Sequence, residues 1–305
     1  MRGEDDLQLK RFVKRCAHIL PDKAFLSLRY FLTFRRFPNW KDPKSYNEKI
    51  QWLKLYDRDP RYGEMVDKAA VKNLVSRMIG PEYVIPTLGV WDRPEDVDFD
   101  ALPDRFVLKC THDSGSVVLC PDKEKLDRQG AMKILHRGMA RNYYKEYREW
   151  PYRDVPRRIL AEVYLNDGTG PVPSDYKVMC FQGEPKLVIL HQQRFGKHTM
   201  DFYDTDWNRM RITRVGQARS EMDAPRPECL EKMLELSSVL SRGIPHLRVD
   251  WYICGGKLYL GELTFYNNSG FGPFVDPRDD ELLGSWIRLP EKSHKKSTRE
   301  EDSKE

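Results

Sequence analysis

Residues His246–Phe271 read HLRVDWYICGGKLYLGELTFYNNSGF. Apolar residues alternate with polar ones on both sides of Gly255-Gly256, which predicts two antiparallel strands joined by a tight turn. Asp250 and Glu262 nevertheless lie inside these strands, where a lone carboxylate is costly to bury. The hairpin therefore needs a positively charged partner for its two acids.

A metal ion is one candidate for that partner. If Asp250 lies directly opposite Glu262, their Cβ atoms are about 5 Å apart and the carboxylates repel each other unless a cation intervenes. Mg²⁺ suits such a pair, since it prefers oxygen ligands and completes its shell with water and substrate phosphates. A regular two-residue turn would pair Asp250 with Gly261 instead, so the metal site requires an odd-length loop or a bulge. In the alternative interpretation, one acid pairs with Arg248 and the other faces solvent.

The bulk composition is that of a water-exposed globular protein. The 305 residues are 40% hydrophobic and 32% charged, enough for one large domain or two packed lobes. No run approaches the ~20 apolar residues of a membrane span, and the N-terminus carries charges where a signal peptide needs apolar residues. The six cysteines are scattered, which argues against a zinc site. We expect a cytoplasmic protein with reduced thiols.

The formal net charge of +5 is unevenly distributed. Between Leu7 and Phe37, basic residues alternate with apolar ones and Asp22 is the single acid, which predicts one or two basic amphipathic helices. Their basic face is either solvated or in contact with an anionic surface, a membrane or an acidic glycan. Nucleic acid is not expected, because no nucleic-acid-binding motif accompanies the charge.

Helices and antiparallel strands alternate in blocks along the chain, which predicts an α+β fold. We predict helices at 45–56, from Asp67 onward, at 123–147 and at 229–242, the first of them capped by Ser45 with Glu48 three residues on. We predict strands at 83–91, 105–110, 117–120, 159–165, 176–181 and 185–191. The predicted organisation is a basic helical region (1–65), a connecting segment (66–104), a small lobe (105–162), a large lobe (163–290) and a disordered tail (291–305).

Polar residues inside other predicted strands add to the hairpin acids. Lys109 lies inside the strand RFVLKC, and an inward lysine there needs an anion. The polar turn 112–116 follows, whose backbone N–H groups can cradle phosphate. Glu162 is the odd polar residue of ILAEVYL, and Asp175 shares a strand face with Lys177.

In this order the segments DKAAVK, VLKCTHDSG, ILAEVYL, YKVMCFQGEPK, RVDWY and GELTF resemble the TupA-like family of the ATP-grasp superfamily, named for a teichuronopeptide biosynthesis protein. The resemblance runs from about Leu20 to Leu289. It implies an ATP-grasp fold of two α+β lobes with the nucleotide between them, preceded by the helical N-terminal region.

The resemblance also implies roles for individual residues. Lys68 and Lys109 would contact the nucleotide phosphates, under a turn that contains His112, Ser114, Gly115 and Ser116. The adenine would be held by Glu162 and the backbone from Val163 to Leu165, and the ribose by Asp175. Mg²⁺ would be ligated by Asp250 and Glu262, with Thr264 where most ATP-grasp enzymes have Asn. Arg248 would face the phosphates or the acyl phosphate, and Lys177 or Arg194 would supply a further catalytic charge.

The expected activity is that of an ATP- and Mg²⁺-dependent carboxylate–amine ligase that acts through an acyl phosphate. The family context implies an acidic or lipid-linked glycan acceptor, in which an amino acid or other amine is joined to a uronic acid. Three alternatives remain open: an ATP-dependent glycan kinase, a glycosyltransferase that uses Asp204-Thr205-Asp206 as a D-x-D motif, and a non-catalytic glycan-binding protein. The tyrosines and Trp150 of residues 143–152 either pack a helix end or stack on sugar rings.

Overall fold

The computed structural model describes residues 19–168, 170–192 and 196–291. The basic positions before residue 19, the predicted catalytic Arg194 and the tail from residue 292 lie outside these ranges.

Four helices precede the first strand, and four more are distributed through the rest of the described chain. They are α1 (Asp22–Phe34), α2 (Tyr46–Tyr56), α3 (Arg61–Val66), α4 (Ala70–Ile79), α5 (Arg128–Ala140), α6 (Tyr143–Tyr147), α7 (Leu230–Ser241) and α8 (Pro277–Trp286). Helix α2 begins at the predicted cap: the Ser45 hydroxyl accepts from the Glu48 backbone N–H, and the Glu48 carboxylate accepts from that of Ser45. In the ranges that the structure covers, the helices do not combine the length and apolarity of a membrane span.

Two helix predictions are wrong. Residues 123–147 form a 3₁₀ turn, α5 and α6 instead of one long helix, because Asp122, Asp127 and Asn142 each cap a new start with a side-chain oxygen. The helix expected from Asp67 begins at Ala70; the Asp67 carboxylate accepts from the N–H groups that precede and open it.

Nine strands form two antiparallel sheets within the described residues. The four-stranded sheet has the order β1-β4-β2-β3, and the five-stranded sheet has the order β7-β6-β5-β8-β9. The strands are β1 (Thr87–Trp91), β2 (Phe106–Cys110), β3 (Val117–Cys120), β4 (Ile159–Val163), β5 (Asp175–Phe181), β6 (Glu184–Gln192), β7 (Thr199–Tyr203), β8 (His246–Cys254) and β9 (Lys257–Thr264). The sequence did not predict β7. The α+β class is confirmed.

The two faces of the five-stranded sheet have different neighbours. On one face α7 packs, where the Trp251 indole donates to the Ser237 hydroxyl at 2.8 Å. On the other face lie Lys177 and Asp250, which are paired across β5 and β8. The alternation of the strands therefore places this buried ion pair on the face opposite α7.

Helix α2 belongs to the main core. Tyr46, Ile50 and Leu53 of α2 are buried in the same apolar cluster as the five-stranded sheet. Helix α2 also lies against α8, and its Asn47 backbone N–H donates to Asp280 at 2.9 Å.

Candidate active site

The β8–β9 hairpin contains the irregularity that a two-acid site requires. Cys254 pairs with Lys257 across the Gly255-Gly256 turn, yet Asp250 pairs with Glu262, because Gly261 is an extra residue on β9. The bulge turns Glu262 to the face of Asp250. A Cβ at Gly261 would lie 2.8 Å from the Tyr252 ring, so the bulge residue has little room for a side chain.

Arg248 lies between the two acids. Its guanidinium donates to both Asp250 oxygens at 2.6 and 2.7 Å and to Glu262 at 2.7 Å. The Lys177 ammonium contacts Asp250 from β5, and the Thr264 hydroxyl donates to Glu262 at 3.3 Å. Both acids are thus paired, unlike in the alternative in which one faces solvent.

The electrostatics of this group favour an ionised Asp250 carboxylate. Burial acts to raise the pKa of the Asp250 carboxyl, but Arg248 and Lys177 outweigh it, so the pKa lies below its usual value. Burial likewise acts to lower the pKa of the Arg248 guanidinium, and the two acids raise it well above its usual range. The site therefore holds fixed charges at neutral pH.

A strained segment fixes the position of Arg248 from the other side. Asn267 accepts from the guanidinium at 2.8 Å, and the next two residues, Asn268 and Ser269, have left-handed backbone angles. The buried Lys54 of α2 donates to the Ser269 carbonyl at 2.7 Å and to its hydroxyl at 2.6 Å. Helix α2 thus supports the site through this segment.

A pocket lies between the two sheets, next to the acids. Its wall combines residues of β2, β3 and β4 with Asp175 of β5 and Tyr252 of β8. Five of the predicted nucleotide-binding residues line it: Lys109, Glu162, Val163, Leu165 and Asp175. The Lys177 ammonium lies 3.6 Å from Asp175 as well as against Asp250. The pocket and the acidic pair are therefore contiguous.

Glu162 is the centre of a buried ion cluster in this pocket. Its carboxylate lies 2.5 Å from the ammonium of Lys109 and 2.5 Å from that of Lys72. Burial acts to raise the pKa of the Glu162 carboxyl, but the two lysines lower it below its usual value. Two cations face one anion here, which leaves positive charge beside the pocket.

The predicted phosphate turn lies against Lys68, whose ammonium donates to the Asp113 carbonyl. Arg141 donates to the Asp113 carboxylate at 3.1 Å and to the Ser114 carbonyl at 2.8 Å. His112 and Ser116 are buried, and Gly115 has a φ of 100°, a conformation that favours glycine. The turn is thus held in place by two cations from outside it.

The sequence of this chain matches the family described as TupA-like ATPgrasp over residues 48–288. The chain belongs to the TupA-like ATP-grasp family. The family identification confirms both the resemblance and the ATP-grasp fold. No curated protein matches the chain in sequence.

Among solved structures, this TupA-like protein is similar to D-alanine–D-alanine ligase from Bacillus anthracis complexed with ATP, at 14% identity and a TM-score of 0.39, over 67% of this chain and 54% of that one. For D-alanine–D-alanine ligase from Helicobacter pylori the identity is 12% and the TM-score 0.42, over 80% of this chain and 70% of that one. For the D-cycloserine synthetase DcsG the identity is 18% and the TM-score 0.37, over 92% of this chain and 77% of that one. The chain matches little more than half of the Bacillus anthracis ligase, 54% and 57% in two structures.

Sequence reasoning missed two residues of the TupA-like site. Lys72 lies in the DKAAVK segment, four residues after Lys68 and in the first turn of α4, which begins at Ala70. Nothing in the sequence indicated that Arg141 reaches the turn. Both contacts depend on tertiary packing, which brings Lys72 next to β4 and Arg141 next to the turn at 112–116.

Proposed function

We propose that this chain is an ATP- and Mg²⁺-dependent carboxylate–amine ligase that acts through an acyl phosphate. The γ-phosphoryl group of ATP passes to a carboxylate, and an amine then displaces phosphate. The observation that best supports this proposal is the Asp250–Glu262 opposition across the bulge, contiguous with a pocket that contains Lys109. Such chemistry needs charge neutralisation and positioning more than a protein nucleophile.

The residues present fit the proposed cofactors. Asp250, Glu262 and Thr264 offer two carboxylates and a hydroxyl, the oxygen donors that Mg²⁺ prefers. In the described ranges no three His, Cys, Asp or Glu residues form a metal cluster, so the Mg²⁺ shell would include water and substrate oxygens. Mg²⁺ supplies charge neutralisation at the phosphates when it is bound.

The remaining residues are assigned by their position. Lys109 and Lys68, with the turn at 112–116, would bind the phosphates. Glu162 and the backbone from Val163 to Leu165 would bind the adenine, and Asp175 the ribose. Arg248 and Lys177 would neutralise charge that develops on the carboxylate undergoing phosphorylation.

The finer proposal concerns the substrates and their location. We propose that the carboxylate belongs to a uronic acid of a cell-surface polysaccharide or its lipid-linked precursor, and that the amine is an amino acid or another small amine. The reaction would take place in the cytoplasm, with the basic N-terminal region at the membrane surface. The family name and the basic residues before Phe37 support this assignment.

A thermal-shift experiment with ATP/Mg²⁺, UDP-sugars and buffer tests the nucleotide site. We expect ATP/Mg²⁺ to raise the melting temperature of the wild type through mass action. The Mg²⁺-dependent part of the shift should be lost in Glu262→Gln, which is partly exposed, and in Asp250→Asn. A shift with UDP-sugar and none with ATP would overturn the proposal.

Product analysis then separates the ligase from the kinase. ADP release that requires both a uronate and an amine supports the ligase, whereas ADP with a phosphorylated sugar and no amine requirement identifies a kinase. Absence of ATP turnover with every pair would contradict both.

A further inference from the structure

A second cavity lies between the N-terminal helices and the segment that leads into β4. It encloses about 990 Å³, close to the upper end of the ~300–1,000 Å³ typical of small-molecule pockets. Asp22, Tyr56 and Arg58 form part of one wall, and Trp150 and Arg158 form part of the other. The site described above uses none of these five side chains.

The acids of this cavity are already paired. Asp22 lies 2.9 Å from Arg148 and accepts from the Tyr144 hydroxyl at 2.8 Å. Asp67 lies 2.7 Å from Arg158. The other two acids of the wall, Asp154 and Glu64, lie 2.9 Å from Arg153 and 3.3 Å from Arg77. None of the four acids therefore repels an incoming anion as a bare carboxylate would.

Arg58 is different. Across the described part of the chain, the shortest distance between its guanidinium and a carboxylate is 3.7 Å, to Asp22. The guanidinium lies over the Trp150 ring, 5.4 Å from the centroid, and its side chain is 35% exposed. The Arg58 Nε donates to the Leu55 carbonyl at 3.2 Å. The N–H donors of the two terminal nitrogens, on the planar group that the ring supports, can form the fork that matches a carboxylate.

The remaining wall suits a ligand rich in hydroxyl groups. Tyr56, Tyr144 and Trp150 are half-buried. The Trp150 indole N–H donates to the Asp57 carbonyl at 2.7 Å, and the Tyr144 hydroxyl donates to Asp22, so both rings have fixed orientations. Carboxylates that are paired on one side keep lone pairs for ligand hydroxyls.

We propose that this cavity binds a carboxylate-bearing saccharide, with Arg58 as the carboxylate anchor. Asp67 in the cavity wall directly precedes Lys68, whose ammonium contacts the turn at 112–116. In the proposed reaction, which this assignment of the ligand's role presupposes, the cavity holds the acidic acceptor. The binding itself does not depend on that reaction.

A ligand-observed NMR titration tests the site with sodium D-glucuronate, D-glucose and sodium acetate at equal ionic strength. We expect glucuronate to bind more tightly than either partial analogue, since it combines the carboxylate and the hydroxyls. In Arg58→Gln the affinity for glucuronate should fall about tenfold or more, the usual effect of losing a charge-assisted hydrogen bond.

Arg278→Gln is the matched control, because Arg278 is an exposed arginine that pairs with its neighbour Asp276 away from the cavity. Its affinity for glucuronate should equal that of the wild type. Equal affinity in Arg58→Gln, or no binding by the wild type, would overturn the proposal.

Saturating ATP/Mg²⁺ distinguishes this cavity from the nucleotide pocket. Glucuronate binding that persists under saturation supports the separate cavity, and competitive displacement by ATP would assign the sugar to the nucleotide pocket instead. If the thermal shift with ATP/Mg²⁺ is absent, the proposed ligase activity fails, while the glucuronate titration still decides the cavity.

Discussion

Replacing Glu162 with glutamine removes the single anion between two buried ammonium groups. The Lys72 and Lys109 side chains are 13% and 15% exposed, and each lies 2.5 Å from the carboxylate. Loss of the shared partner from a buried ion cluster typically costs ~3–5 kcal/mol. Because both lysines keep some access to water, we expect Glu162→Gln to lower the free energy of unfolding by about 3 kcal/mol.

The comparison with Lys72→Met makes this prediction specific. Lys72→Met leaves a one-to-one pair of Lys109 and Glu162, so we expect the free energy of unfolding to fall by about 1 kcal/mol at most. The exposed pair of Glu231 with Arg226 supplies the control, since Glu231→Gln should leave the free energy of unfolding unchanged within experimental error.

Urea denaturation of the wild type and these three variants measures the differences, provided that the dependence on urea keeps the same slope. Glu162→Gln should be by far the least stable of the four proteins. If its loss were no larger than that of Lys72→Met, the cluster would not be held together by charge, and the reasoning would be refuted.

Three further predictions concern pH and packing. Burial lowers the pKa of the His246 imidazole to about 4, whereas in the unfolded chain this imidazole binds a proton below pH ~6.5. The free energy of unfolding therefore falls as the pH falls through that window, by up to ~3 kcal/mol. The free energy of unfolding of His246→Gln, measured between pH 7 and 4.5, should depend less steeply on pH than that of the wild type, and an unchanged slope would contradict the assignment. Gly284→Ala should lower the free energy of unfolding by about 2 kcal/mol or more, because the new Cβ would lie 2.2 Å from the Lys44 carbonyl oxygen. A melting temperature equal to that of the wild type would refute this close approach. Gly261→Ala should cost only ~1 kcal/mol, since the 2.8 Å contact is with the Tyr252 ring rather than with backbone, and urea denaturation of the two glycine variants should rank them in this order.

The predicted elements succeeded where local sequence carries the signal. The Ser45 cap and the alternation of β8 and β9 were read correctly, because capping and side-chain period depend on neighbouring residues. The prediction of one helix over 123–147 also failed for a local reason. Asn142 caps a new helix after α5, and the prediction gave the apolar pattern more weight than the preference of Asn for capping.

The site was only partly predictable. The sequence predicted that Asp250 and Glu262 lie on one hairpin and that they face each other only if the hairpin contains an extra residue. It did not predict whether that residue would be at the turn or within β9. Lys72 was overlooked because a lysine on a helix is usually solvated, and its partner lies ninety residues away in β4.

The amino-acid sequence alone determined the family, the α+β class and most of the charged residues of the candidate site, since these follow from ordered motifs and short-range periodicity. Tertiary packing decided which charges meet: Arg248 between two acids, Lys72 and Lys109 on Glu162, and Arg58 in a cavity built by distant segments. The physical reason is that a buried ion is stable only beside partners brought from elsewhere in the chain, and sequence separation carries no information about that proximity.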